Sequence, residues 1–332
     1  MRALAVSLFL MAALAAGAHV PLQKLDRTVV SGSEYVRLDD WADSTGFAMK
    51  CAKKEETITL TSPTAKLVLG VDSRRAEVCG VNVWLSLPVV NRGGAALISL
   101  VDAASMLQPI LFPQKSDARL KTVCLDPGHG GKDTGEANGR KYEKDYTLLL
   151  AKEVAALLKH QGLNVMLTRD SDAFVDLSAR PLLARRQGAD LFVSLHYNSA
   201  DNYIHGLETY CLAPPGVNSS NEGGGKAPRL PEPGNAHDDK NVLLAYEMEK
   251  SITAAVPLED RGLKRSRFEV LREAVMPAVL IEGGFLSNPS DARHIYDPAF
   301  RKQMAQAIVE GVMAYKKSVE RPLAVAAPTV AR

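Results

Sequence analysis

From Lys121 onward the chain alternates between short apolar runs and stretches in which apolar residues return every three or four positions. The runs Lys121-Thr-Val-Cys-Leu125, Asn164 to Thr168, Asp190 to Leu195, Gly206 to Leu212, Phe268 to Leu271 and Ala278 to Ile281 have strand length. Between Asp145 and Lys159, Tyr146, Leu149, Leu150, Val154, Leu157 and Leu158 fall at helical spacing. A second helix is expected over Ser178 to Gln187, with Ser178 as its N-cap and Pro181 in the first turn, where a missing N–H costs little. Further helices are expected over Asn241 to Ala255, Pro289 to Ile295 and Pro298 to Lys316, the last two opening on proline. Strands alternating with helices predict an α/β fold, a mostly parallel twisted sheet with helices on both faces.

The preceding segment has a different rhythm. Residues 19 to about 117 carry short β patterns such as Glu56-Thr-Ile-Thr-Leu-Thr61 and Ala65-Lys-Leu-Val-Leu69, separated by turn residues. An internal echo is visible: Tyr35-Val-Arg-Leu-Asp-Asp-Trp-Ala42 and Leu97-Ile-Ser-Leu-Val-Asp-Ala-Ala104 each read as a short strand running into a short helix. The polar segment Pro113-Gln-Lys-Ser-Asp-Ala-Arg119 reads as a linker. The expected organisation is therefore a β-rich α+β accessory domain over 19–117 and an α/β domain over 118–317. A tail over 318–332, with proline and alanine but no period, is expected to be disordered. Ala213 to Asp238 is crowded with Gly, Pro, Ser and Asn. It is long for a structureless loop in a compact domain, so a gating role over a nearby cleft is expected.

The N-terminus adds an address. Met1-Arg2 precedes an unbroken small and apolar run from Ala3 to Ala16, and Ala16-Gly17-Ala18 fits an A-x-A cleavage site. Residues 1–18 read as a secretory signal peptide cut before His19, with an uncleaved anchor as the alternative. Export into a periplasm is expected, with extracellular or wall-associated action as the alternative, and no membrane span remains after cleavage. Four cysteines, Cys51, Cys79, Cys124 and Cys211, match no zinc-knuckle spacing. Export permits a disulfide between Cys51 and Cys79. The formal net charge of the 332-residue chain is +2, which gives no basic excess for nucleic acid.

Chemistry gathers at the strand ends, where ligands bind in open α/β sheets. The first strand ends in Asp126-Pro-Gly-His-Gly-Gly131, the third runs into His196-Tyr-Asn198 and the last into Glu282-Gly-Gly284, while Glu143 stands just before the first helix. A catalytic zinc takes three protein ligands of N and O type and keeps a fourth position open. His129, His196 and one of the two glutamates supply that set, and the other glutamate is free to act as a base. The glycine run after Pro127 lacks the spacing of a phosphate loop.

Five segments in order carry a resemblance. Leu125-Asp-Pro-Gly-His-Gly-Gly-Lys-Asp133, Glu143 ahead of an apolar helix, Leu167-Thr-Arg-Asp170, Ala189-Asp-Leu-Phe-Val-Ser-Leu-His196 and Pro277-Ala-Val-Leu-Ile-Glu-Gly-Gly-Phe-Leu-Ser-Asn288 resemble the zinc-dependent N-acetylmuramoyl-L-alanine amidases, the class typified by bacterial cell-separation and spore-cortex amidases. The likeness covers about residues 121 to 316. It implies that His129, Glu143 and His196 hold Zn2+, that Glu282 is the catalytic carboxylate, and that the substrate is peptidoglycan, cut between N-acetylmuramic acid and the L-alanine of its stem peptide. A protein activator is a further expected partner; a zinc peptidase cutting within the stem peptide is the alternative. The chain departs from the family at Ala184-Arg185, where an asparagine commonly follows the alanine, and no expected ligand is touched. The N-terminal segment is similar to the small β-rich domain first named from copper amine oxidases and found on exported wall enzymes. It implies no copper, since His19 is that segment's single histidine.

Overall fold

Alternation in the first hundred residues produces antiparallel strands with one buried face. The computed structural model describes residues 22–52, 57–220 and 227–322. The expected signal peptide therefore lies outside the described residues. Strands β1 (Arg27–Val30) and β2 (Ser33–Arg37) form a hairpin, and β2 runs into helix α1 (Leu38–Thr45). A meander follows: β3 (Ala48–Ala52), β4 (Thr57–Thr61), β5 (Lys66–Gly70), β6 (Ser73–Val78) and the long β7 (Val81–Arg92). Ile58, Leu60, Leu67 and Leu69 turn inward at period two and are buried. Strand β8 (Ala95–Ser99) leads into α2 (Leu100–Asp102), which continues through a π-helical turn, Ala103–Leu107, into α3 (Gln108–Leu111). The echo seen in the sequence is thus real: β2–α1 and β8–α2 are both strand–helix units, and β2 pairs with β8.

The strands after residue 120 are β9 (Thr122–Pro127), the small hairpin β10 (Ala137–Asn138) and β11 (Lys141–Tyr142), β12 (Asn164–Leu167), β13 (Leu191–Asn198), β14 (Leu207–Leu212), β15 (Asp260–Ser266) and β16 (Ala278–Phe285). Of these, β9, β13, β14 and β16 are buried on both faces, which is why they read as continuous apolar runs. Helices α4 (Glu143–His160), α5 (Ala179–Arg186), α6 (Asp238–Ala255), α7 (Glu269–Arg272), α8 (Pro289–Tyr296) and α9 (Pro298–Val319) cover them. Neighbouring strands run in the order β12-β9-β13-β16-β14-β15-β7-β6-β5-β4-β3. The first four are parallel, but β14 is antiparallel to β16, so the sheet is mixed.

Several local expectations are corrected. Phe268 to Leu271 is not a strand: the N–H groups of Leu271 and Arg272 bond Phe268 O at 2.9 and 3.0 Å, closing the turn that starts α7. Ser178 makes no side-chain cap. The segment read as a linker is tied down, with Ser116 N donating to Val319 O at 2.8 Å and Arg119 paired to Glu320 at 3.2 Å. That pairing also orders Glu320, inside the expected tail, while residues 323–332 lie outside the described residues. Cys79 is exposed and unbridged, and the Cys51 side chain lies outside the described residues.

The two segments share one sheet. Leu263 of β15 pairs with Val83 of β7, and Asn82 and Trp84 bond the backbone of Asp260 and Arg261 at 2.9 and 2.8 Å. Arg265, 2% exposed, reaches across to Ser86 Oγ at 2.7 Å, Ser105 Oγ at 2.9 Å and the buried Asp102 at 3.6 Å. Beneath this seam Glu249 is fully buried, taking hydrogen bonds from Gly262 N at 3.1 Å and from Thr209 Oγ1. Burial lifts its pKa well above the ordinary value, and the neighbouring Asp260 adds to the lift against the opposing Thr209 bond. An acid held protonated only in the native state binds more protons there than in the unfolded chain. Its contribution is full below the unfolded pKa and is lost as pH rises through the folded one. Melting temperature should therefore decline as pH rises above the ordinary glutamate range, and Glu249→Gln should flatten the decline; an unchanged slope in the variant would remove Glu249 as its source.

Candidate active site

The end of β9 turns sharply through Gly128-His129-Gly130-Gly131, and His129 adopts φ +58°, a left-handed conformation rare for a residue with a side chain. The turn brings the His129 ring over the first residue of α4. His129 Nε2 lies 3.0 Å from Glu143 Oε2, and its Nδ1 lies 2.9 Å from Asp133 Oδ2. Glu143 is 3% exposed, and backbone amides hold both its oxygens. Glu136 N donates to Oε2 at 3.0 Å, and Tyr197 N donates to Oε1 at 3.0 Å. His196, near the end of β13, completes the group with Nδ1 3.0 Å from Glu143 Oε1. The two imidazoles meet edge to face with centroids 4.9 Å apart.

One ligand atom from each of His129, Glu143 and His196 falls within 4.8 Å of the others. Burial pushes the Glu143 carboxyl up, but hydrogen bonds and charges from the two histidines outweigh it and hold the group well below the usual carboxylate range. An anion packed between two imidazoles, with its oxygens fixed by amides, is a donor set suited to a divalent cation. Two glycines leave room for it. A Cβ on Gly128 would sit 2.3 Å from His196 Cε1, and one on Gly135 would sit 2.4 Å from Glu143 Oε2.

Glu282 lies beside this group, in register with His196 across the β13–β16 ladder and with Glu208 across β14. Its Oε2 is buried without a hydrogen-bond partner among the described residues. Burial, then the charges of Glu143 and Glu208, raise its pKa well above the ordinary carboxylate value. Glu208 is itself anchored by Arg261 at 2.7 Å, Asn198 at 2.9 Å, Tyr210 at 2.6 Å and Lys264. All four residues singled out from the sequence line one cavity of about 390 Å³, together with Leu177 and Phe268.

Beneath the turn that carries His129 lies a buried polar network with no counterpart among the sequence expectations. Asp126, fully buried, accepts from Thr168 Oγ1 at 2.6 Å, Ser194 Oγ at 2.8 Å and Arg180 Nη1 at 2.9 Å. Asp126 lies within Leu125–Asp133 and Arg169 within Leu167–Asp170, and neither stretch carries a period that marks a buried ion. Among the described residues of Ala213 to Asp238, none lines the cavity that holds His129, Glu143, His196 and Glu282. Pro215 to Asn218 line a separate cleft of about 460 Å³ against Arg74, Ser86 and Val101. Arg267 bonds Pro214 O and the Ser219 hydroxyl accepts from Arg267 N, which fixes that stretch to the far end of β15.

Comparison with known proteins follows the same residues. Residues 123–314 match the family model described as N-acetylmuramoyl-L-alanine amidase. The uncharacterized protein YqiI of Bacillus subtilis is 34% identical over 70% of this chain and 97% of its own length. The probable cell wall amidase LytH of Staphylococcus aureus is 34% identical over 61% of this chain, which spans 60% of LytH's length. Among solved structures, the N-acetylmuramoyl-L-alanine amidase AmiC2 of Nostoc punctiforme aligns with TM-score 0.51 and 34% identity, covering 60% of this chain and 99% of AmiC2.

Proposed function

Because the chain belongs to the N-acetylmuramoyl-L-alanine amidase family, matched over residues 123–314, we propose that His129, Glu143 and His196 hold a zinc ion and that Glu282 carries the protons of the reaction. The chain is a peptidoglycan amidase, which cuts the amide between N-acetylmuramic acid and the L-alanine of the stem peptide. The observation that carries the site assignment is the buried, unpartnered Glu282 Oε2 beside a cluster of three metal-suited donors.

The donor set fits zinc in number and type, two imidazoles and one carboxylate, and both Glu143 oxygens are pre-oriented by backbone amides. Asp133 fixes the His129 tautomer by receiving its Nδ1–H, so that Nε2 offers a lone pair. A zinc ion there would supply Lewis acidity toward water and the scissile carbonyl. Glu282 then takes a proton from the attacking water and delivers it to the departing alanine nitrogen. Burial and the charges of Glu143 and Glu208 favour its protonated form, the form that hands the proton on to the leaving nitrogen. Leu177 and Phe268 give the cleft apolar walls.

Action on the wall is extracytoplasmic, and among the described residues no helix is long and apolar enough to cross a membrane. A periplasmic location is part of the same proposal, supported by the apolar run Ala3 to Ala16. So is the division into an accessory segment over 19–117 and a catalytic segment over 118–317.

Peptidoglycan digested by the purified chain, with and without a chelator, should release intact stem peptides that begin at L-alanine. The products should vanish with chelator and return with zinc, as read by mass spectrometry. Fragments cut inside the peptide would instead make it a zinc peptidase, and zinc-loaded chain without any product would indicate a required activator.

A further inference from the structure

Two buried guanidinium groups grip the turn that carries His129. Arg169 donates from Nε to Pro127 O at 3.0 Å and from Nη2 to Gly128 O at 2.7 Å. Arg180 donates from Nη1 to Pro127 O and from Nη2 to His129 O, both at 2.9 Å. Three consecutive carbonyls are thus held from one side by planar forks of fixed geometry. The same Arg169 Nη2 also bonds Lys144 O at 2.8 Å and Thr147 Oγ1 at 3.1 Å, in the first turns of α4. One guanidinium therefore ties the turn bearing His129 to the helix start bearing Glu143.

We propose that Arg169 and Arg180 are positioning residues that hold His129 in its left-handed conformation and so set the affinity of the metal site. The inference rests on the zinc reading above. Left-handed backbone at a histidine is strained and persists only where its surroundings over-determine it. Here the surroundings are five hydrogen bonds from these two side chains onto the turn and onto the carbonyl of Lys144, the second residue of α4. Arg180 answers its charge on Asp126 at 2.9 Å, whereas among the described residues Arg169 forms no ion pair and spends its donors on backbone carbonyls and a hydroxyl. A cation 4% exposed with no paired anion is costly, and a purely space-filling role would be served by an apolar residue. Gly130 records how closely the turn is pressed onto this support: a Cβ there would lie 2.1 Å from Ala173 O and 2.9 Å from Arg169 Cδ.

The test compares zinc affinity of the full chain, by competition with a chromogenic chelator, in wild type, Arg169→Lys and Arg180→Lys. Measurements are made well below each variant's melting temperature, with folding checked by circular dichroism. Lysine keeps the charge and stem but loses the fork. Each folded variant should bind zinc about ten- to a hundredfold more weakly, the range found when groups that orient metal ligands are removed. Added guanidinium should restore much of the affinity of Arg169→Ala and none of that of His129→Ala, a rescue that general loss of stability would not show. Tight binding by the wild type with unchanged affinity in both lysine variants would overturn the clamp alone. A wild-type chain that does not bind zinc would overturn the zinc reading, and the clamp's role with it.

Discussion

Glu282→Ala and Glu282→Gln will lose amidase turnover by roughly a hundred- to ten-thousandfold, the range for a positioned acid–base group, while the purified variants keep the zinc content of the wild type. The expectation follows from position. Glu282 lies on β16 in register with His196, yet it stands outside the group formed by His129, Glu143 and His196. Its removal leaves the amide bonds to Glu143 and the Asp133 contact to His129 untouched. Folding should not suffer either. The Oε2 atom has no hydrogen-bond partner among the described residues, and burial with two nearby carboxylates disfavours its charge. Glutamine should accordingly raise the melting temperature slightly as it removes activity. Metal analysis and turnover on the same preparations decide the matter: a variant that loses its zinc would make Glu282 a ligand rather than the base.

Gly128→Ala will empty the proposed zinc site. The new methyl would fall 2.3 Å from Cε1 and 2.6 Å from both nitrogens of His196. The backbone has little freedom to retreat. Gly128 N donates to Leu195 O at 2.9 Å, while Gly128 O accepts from Arg169 at 2.7 Å and from Thr147 at 2.9 Å. The imidazole must therefore swing away and abandon Glu143. Overpacking of this kind costs about 1–3 kcal/mol in stability, but the loss of zinc and of turnover should be close to complete. Full zinc occupancy in the variant would show that the turn can shift, and would weaken the view that its geometry is rigidly held.

The four site residues were legible because each follows an apolar run or opens a helix, and parallel strands deliver such positions to one edge. Strand direction alone brings His129, His196 and Glu282 to one edge with Glu143 beside them, whereas which glutamate would be a ligand and which the base came from the family resemblance. The residues that hold them were not legible in that way. Arg169 and Arg180 act on carbonyls 41 to 53 positions away, a separation that leaves no local period. β15 was missed because Asp-Arg-Gly-Leu-Lys-Arg-Ser has a single apolar residue, and its strand conformation comes from neighbours on both sides. Phe268 to Leu271 was misread since short apolar runs fit helix and strand alike. There Phe268 meets Tyr210 edge to face at 5.1 Å, an anchor for a helical turn that only the fold reveals. The continuity of the sheet across the two segments was hidden for a similar reason: Asn82 and Asp260 are 178 positions apart.

That shared strand alters what a fragment would be. A catalytic piece cut free at about residue 118 would present β15 with one side stripped of Asn82 and Trp84, and Arg265 would lose Ser86, Ser105 and Asp102 together. A bare strand with unpaired amides and carbonyls is a template for adding another chain, so such a piece should tend to self-associate. The leading segment then serves as a cover for an otherwise sticky margin.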